Sequence, residues 1–345
     1  MKIEEKIYNQ LIVSIGNTLN SGRQQAYQTI NNLLVHTYWS IGQHIVEFEQ
    51  KGNIKAEYGS FLLARLSKDL TAAHGKGFSR SSIAYFRKFY LYYPIVQALP
   101  VQLSWSHWCE LLAIDDELER GFYLKQILLE NWTYREFRRQ KKTALFHRYA
   151  LSRDKEGILR LAKEGMKPEF TEDFMKEPYI LEFLELPEDS LYSEQQLENR
   201  IIEKLQQFLL ELGKGFAYVG RQYRISVANR HYKVDLVFYH CILKCYVLID
   251  LKTNEVEHYD IGQMNMYVNY FTKEVSMPDD NPPIGIILTT EKDDVFVEFA
   301  LGGITNQIFI SKYQLYLPDR ALLELKVKAI LEDEQNNQKE SKPHF

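Results

Sequence analysis

Cysteine is scarce. Only Cys109, Cys241 and Cys245 occur in 345 residues, which excludes a fold stapled by many disulfides. The opening MKIEEKIYNQ carries acids where a secretion signal needs a basic start and an apolar core, so reduced thiols in a cytoplasm are expected. Long apolar runs are also missing. None approaches the roughly 18 residues that cross a bilayer, and no membrane partner is expected. His240 lies beside the last two cysteines, but a zinc site would need a fourth ligand and better spacing, so these read as ordinary strand residues. There is no large excess of charge of either sign, with a net charge of −4. Proline is nearly absent from residues 1–150, which hold only Pro94 and Pro100, so little there interrupts a helix.

What is present is unevenly spread. Residues 1–150 hold 19 Lys and Arg against 13 Asp and Glu, a net of +6, and the remainder is −10. Most of that excess lies in 164–198, with 11 acids against 2 bases. A basic half, an acidic connector and a nearly neutral half follow. This allows contact with nucleic acid without requiring it.

The basic half carries apolar repeats at helical spacing throughout. Within it, SFLLARLSKDLTAAHGKGFSRSSIAYFRKFYLYYP (60–94) reads as a helix, a turn at Gly75 and Gly77, a Ser79 cap and a second helix. Ile83, Phe86, Tyr90 and Tyr93 share one face of the second helix, and Arg80, Arg87 and Lys88 another. That is the pattern of a helix-turn-helix recognition helix, and equally of a two-helix hairpin with a solvated basic face. Arg138, Arg139 and Lys142 close a later helix. They are candidates for phosphate contact, or they complement the helix dipole. Trp105, His107 and Trp108 read as core. Residues 151–190, with Pro168, Pro178 and Pro187, read as a connector, and the polar end from 333 to 345 as a disordered tail.

From 191 the pattern changes. LENRIIEKLQQFLLELG predicts an amphipathic helix ending at Gly213. Strand-like runs follow (FAYVGRQYRISV, HYKVDLVFYH, KCYVLIDLK), then alternating helices and strands. The expected fold is an α/β mixed sheet flanked by helices over 191–332, preceded by the all-α domain of 1–150.

The strand runs contain charges that an apolar sheet does not need. Asp250 and Lys252 are two apart and share a face. A hairpin turning near Ile242 and Leu243 would set Asp235 opposite Asp250. Two facing carboxylates repel unless a cation lies between them, and a hard divalent ion such as Mg²⁺ suits oxygen ligands. On the preceding helix Glu198 lies on the face with Leu197, Ile201, Leu205, Phe208 and Leu212, whereas Glu203 points nearly the other way. Glu198 is the favoured third acid, with Glu203 the alternative. Gln263 opens a helix that could lie above the same site. A structural ion cluster would use the same residues.

These residues also carry a resemblance. Asp235, a hairpin, then Asp250-Leu251-Lys252 looks like the PD-(D/E)XK nuclease motif, with Gln263 in GQMNMY similar to its trailing helix residue. FLLELGKGFAYVGRQY, VDLVFYH, LIDLKT and GQMNMY resemble the YhcG-type proteins. So do WSHW, NWTYREFRRQ and GKGFSRSSIAYFRKFYL in the first half, and the likeness covers nearly the whole chain. Val234 stands where the superfamily has its proline, which is not a ligand. NEVEHYD after Lys252 lacks the glycine and proline expected of the family, which bears on the loop leading to Gln263.

The resemblance implies a restriction-endonuclease-like domain that hydrolyses phosphodiesters of nucleic acid, first of all DNA, to 5′-phosphate ends. It implies Mg²⁺ or Mn²⁺ on Asp235, Asp250 and the Leu251 carbonyl, supported by Glu198. Lys252 would orient water or stabilise an oxyanion, and Gln263 would fix the lysine or contact the backbone. Two rival expectations stand beside this one. One is a nuclease-like binder of nucleic acid without catalysis of its own. The other is a helical half that serves to form homo-oligomers.

Overall fold

The computed structural model describes residues 5–51, 56–151, 153–167, 175–176, 178–186, 192–227, 229–304 and 307–340. The chain divides into two compact units, 1–120 with 132–138, and 121–131 with 139–345. No described helix is long and apolar enough to cross a membrane.

The helices of the first part of the chain are α1 (Glu5–Lys51), α2 (Ala56–His74), α3 (Arg80–Tyr92), α4 (Trp105–Leu112), α5 (Glu117–Glu130), α6 (Tyr134–Lys142) and α7 (Leu145–Ala150). In the N-terminal unit Ile45 of α1 meets Ile83 and Phe86 of α3, with Leu63, Leu66 and Leu70 of α2 packed on them. Gly75 and Gly77 take φ of 84° and 117° in the turn between α2 and α3, a region open to glycine. Ser79 caps α3 by accepting the Ser82 N–H at 3.1 Å. Trp108 is buried, and His107 is buried with its ring bonded back to the α4 cap.

The acidic stretch contributes α8 (Lys155–Glu164) and a two-residue strand, β1 (Tyr179–Ile180). Of the predicted connector, residues 152, 168–174, 177 and 187–190 lie outside the described residues. Then come α9 (Glu194–Glu203), α10 (Leu205–Leu212), β2 (Phe216–Val227), β3 (Arg230–His240), β4 (Cys245–Leu251), α11 (His258–Tyr270), β5 (Ile284–Thr289), α12 (Asp294–Leu301), β6 (Gln307–Gln314) and α13 (Arg320–Glu340). The single amphipathic helix expected before β2 is two helices, broken at Lys204 (φ −111°, ψ 29°) and ended by Gly213 at φ 112°. The α13 backbone continues to Glu340 through a stretch whose polarity predicts disorder; its Glu, Gln and Lys residues are good helix formers. Residues 341–345 lie outside the described residues.

Among the described residues the sheet has six strands, in the order β1-β6-β5-β4-β3-β2. β2, β3 and β4 are antiparallel, whereas β4, β5, β6 and β1 run parallel. This is the mixed sheet the pattern predicts, with β1 added from the connector. Val237 and Leu248 pack under Met264, Tyr267 and Val268 of α11. Phe238, which points the other way along β3, lies under Phe208 of α10 with ring centroids 6.0 Å apart. Gly285 of β5 lets α11 approach closely. A Cβ there would fall 2.6 Å from Met264 Cγ.

One buried ionic cluster ties α6, α7, α10 and the β1 region together. Glu211 accepts from Arg148 Nη1 at 2.5 Å and from the Ile180 N–H at 2.9 Å. Lys176 donates to the Glu211 carbonyl. Burial alone would raise the Glu211 pKa, but Arg148, Lys176 and Arg139 outweigh it and hold the carboxyl down at about 2.

Candidate active site

The site is built by register. The β3–β4 ladder pairs Leu236 with Ile249, Val237 with Leu248 and His240 with Cys245. The next step along it sets Asp235 across from Asp250. Asp235 Oδ2 accepts the Leu251 N–H at 2.9 Å, which fixes that carboxylate against β4. Asp250 is 4% exposed. Its Oδ2 lies 2.9 Å from Lys252 Nζ, as expected for residues two apart on one strand face.

Glu198 of α9 is buried beside Leu197 and Ile201, and Glu203 is exposed and paired with Arg200 at 3.1 Å. The helical periodicity therefore sorts the two glutamates. Glu198 joins Asp235 through a residue that pattern reading does not single out. Gln222 Nε2 donates to Glu198 Oε2 at 2.7 Å and to Asp235 Oδ1 at 3.0 Å. Gln222 has φ 47°, a left-handed conformation that costs a non-glycine residue on the order of 1–3 kcal/mol. It follows the register shift between Tyr218 and Gly220 in β2. Bulges of this kind re-aim side chains.

Lys252 answers three acids. Besides Asp250, it lies 3.4 Å from Asp260 Oδ1 and 3.8 Å from Glu194 Oε1. Glu194 sits one helical turn before Glu198, and Asp260 caps α11 by accepting the Glu257 N–H at 2.9 Å. That capping box opens α11 without the glycine or proline expected of the family. The loop before it is held by Thr289 and Thr290, whose hydroxyls donate to the Asn254 and Thr253 carbonyls.

Gln263 is not bonded to the lysine. Its amide donates to Tyr267 one turn along α11, and the Tyr267 hydroxyl donates to the Lys233 carbonyl at 2.9 Å. Of the two roles the resemblance implies for Gln263, fixing the lysine or contacting the backbone, the bond to Lys252 is not formed here, and the amide joins a relay onto β3. The i,i+4 spacing favours Tyr267, and Lys252 is already turned to carboxylates.

The electrostatics follow from burial. Burial and the neighbouring Asp235 charge push the Asp250 carboxyl up to about 7, against the pull of Lys252. Asp235 is also raised, by burial first. Burial would lower the Lys252 ammonium, but Asp250 outweighs it and leaves it above the ordinary lysine value. The donor set is three carboxylates and, at Leu251, a backbone carbonyl. An amide N–H already lies between two of the acids. These residues fit a hard divalent cation.

The basic residues of the helical part are placed differently. Arg80, Arg138 and Lys142 are exposed. Arg87 Nε is 2.8 Å from Glu49, and Lys88 Nζ is 2.7 Å from Asp115, so both charges are paired within the N-terminal unit. Arg139 does not reach outward as a phosphate contact would require. It lies 3.3 Å from Glu182 and 3.4 Å from Glu211 in the buried cluster, with its side chain 18% exposed.

Residues 172–329 match the YhcG PDDEXK nuclease domain, and residues 14–148 match the DUF1016 N-terminal domain. The chain is 34% identical over 361 residues to the Escherichia coli (strain K12) protein "Putative nuclease YhcG", covering 94% of this chain and 96% of that one. Two solved structures also align. A repair endonuclease from Pyrococcus abyssi aligns at 19% identity and TM-score 0.26, over 38% of this chain and 50% of that one. EndoMS in apo form aligns at 15% identity and TM-score 0.25, over 37% and 48%. The chain spans about half the length of these two. The curated relative and the two domain matches decide the matter: the chain belongs to the YhcG family, a DUF1016 N-terminal domain followed by a PD-(D/E)XK nuclease domain.

Proposed function

We propose that this protein is a divalent-metal-dependent nuclease that hydrolyses phosphodiester bonds of DNA and leaves 5′-phosphate ends. The observation that supports this best is the meeting of Glu198, Asp235 and Asp250 beside Lys252. Asp235, Asp250 and the Leu251 carbonyl would hold Mg²⁺ or Mn²⁺, with Glu198 completing or supporting the set. The bound ion would lower the pKa of water and offset charge building on the phosphate.

The chain's own groups do the rest. Lys252, kept protonated by Asp250, orients the attacking water or stabilises a phosphate oxygen. Glu194 and Asp260 help to hold its ammonium beside Asp250. Gln222 keeps Glu198 and Asp235 aligned before the ion arrives. Gln263 and Tyr267 fix α11 to β3 over the site.

In this reading the helical half is a DNA- or partner-binding module, with Arg80, Arg138 and Lys142 the cations exposed for phosphate. The test is a cleavage panel of duplex, branched and single-stranded DNA and RNA with Mg²⁺ or Mn²⁺. Cleavage by wild type that Lys252→Ala and Asp250→Asn both abolish supports the assignment. Undiminished cleavage by purified Asp250→Asn contradicts it.

A further inference from the structure

The first half of α1 is not used by the helical unit it leads into. From Tyr8 to Ile30 every residue is exposed except the half-buried Gly16. Only further along does α1 turn Val35, Trp39, Ile45 and Val46 into the core. The exposed stretch is nonetheless apolar on one side. Tyr8, Ile12, Ile15, Leu19, Ile30 and Leu33 are 47–63% exposed. With Gly22 and Ala26 between them they recur in steps of four and three residues and form one stripe along the helix. Gln10, Asn17, Gln24 and Gln28 lie on the opposite side.

Two further features separate this stretch from an ordinary solvated helix. Between Ile7 and Val46 the only Asp, Glu, Lys or Arg is Arg23. The segment is also rich in poor helix formers, among them Asn9, Val13, Gly16, Asn17, Thr18, Asn20 and Gly22. A helix of such residues without packing is marginal in water.

We propose that this stripe is a self-association surface, docking along the same stripe of a second copy of this chain. The four-and-three spacing suits knobs-into-holes packing against another helix. The seam from Tyr8 to Leu33 runs about 40 Å at 1.5 Å per residue, and with a helix about 10 Å wide its face is about 400 Å². That is as large as the biggest apolar patch most monomers leave open. A symmetric contact sets a surface against itself, so a stripe bearing charge would repel its own copy. This one bears none, and Arg23 lies at its flank. Gly22, near the middle, has open space wherever its Cβ would stand. No described residue of its own chain fills that space, and a partner helix can approach closely there.

The test uses the full chain. Light scattering on a sizing column is expected to give twice the chain mass for wild type. The single-chain mass is expected for Ile12→Glu/Ile15→Glu/Leu19→Glu. Gln10→Glu/Asn17→Glu/Gln24→Glu, with the same added charge on the other side, is expected to stay double. Hydrogen exchange on wild type reads the same contact without a variant. Amides 8–30 should be protected at least ten-fold more at high than at low protein concentration. A wild-type monomer at micromolar concentration, an unchanged mass for the stripe variant, or exchange of 8–30 that ignores concentration would each overturn the proposal.

Discussion

The Gln222 carboxamide donates to the Glu198 carboxylate at 2.7 Å and, with its second hydrogen, to Asp235 at 3.0 Å. One amide thus stands between two acids from different elements, on a backbone held at φ 47°. Its two hydrogens offset the repulsion between the two carboxylates.

Gln222→Ala therefore takes a donor from the buried Glu198 and from the half-buried Asp235, which keeps only the Leu251 N–H. The expected cost is about 1–3 kcal/mol in the absence of metal. Thermal melts should show a lowered Tm without Mg²⁺ and a smaller gap at saturating Mg²⁺. Equal gaps in both conditions would mean that Gln222 has no bearing on the ion.

Asp250 predicts a pH dependence. Its carboxyl is raised to about 7 in the fold by burial and by Asp235, against about 3.9 for a free aspartate. Between those values the folded state holds a proton that the unfolded chain has lost. Stability of the metal-free protein should then fall as pH rises through this window. Metal binding should release protons near pH 6 and tighten as pH rises toward 8. Asp250→Asn should flatten the first trend. Denaturant melts from pH 5 to 8 in chelator measure it, and a parallel slope for the variant would contradict the assignment.

Glu211→Gln tests the buried ionic cluster. It leaves Arg148 buried without its counter-ion, a change expected to cost about 3–5 kcal/mol. Urea unfolding followed by circular dichroism gives the number directly. A loss below about 1 kcal/mol would show the cluster to be dispensable.

Tyr267→Phe removes the hydroxyl that joins Gln263 to the Lys233 carbonyl. The expected loss is about 1–2 kcal/mol of stability, with a fall in kcat and little change in KM. A change in KM alone would place Tyr267 in substrate binding instead.

Much of the C-terminal site could be read from the sequence because its geometry is periodic. A hairpin centred between Ile242 and Leu243 makes the Asp235–Asp250 pairing a matter of counting, and the ladder follows that count. The helical period separates Glu198 from Glu203 in the same way. Gln222 escaped because the register shift near Val219 is a local irregularity that no alternation reveals. Strand β1 escaped because two residues in an acidic stretch carry no pattern of their own. The partners of Arg87 and Lys88 lie 38 and 27 positions away. A basic helix face read by itself therefore overstated the free charge. Arg139 was misjudged likewise, since its acids come from elements further down the chain.

The most direct test of the central claim is calorimetric titration of Mn²⁺ into wild type, Asp235→Asn, Asp250→Asn and Glu198→Gln proteins, all shown to be folded. A shared site predicts that Asp235→Asn and Asp250→Asn each weaken binding at least ten-fold, with a smaller loss for Glu198→Gln. Binding of wild-type strength by an Asp235→Asn/Asp250→Asn double variant would contradict the account.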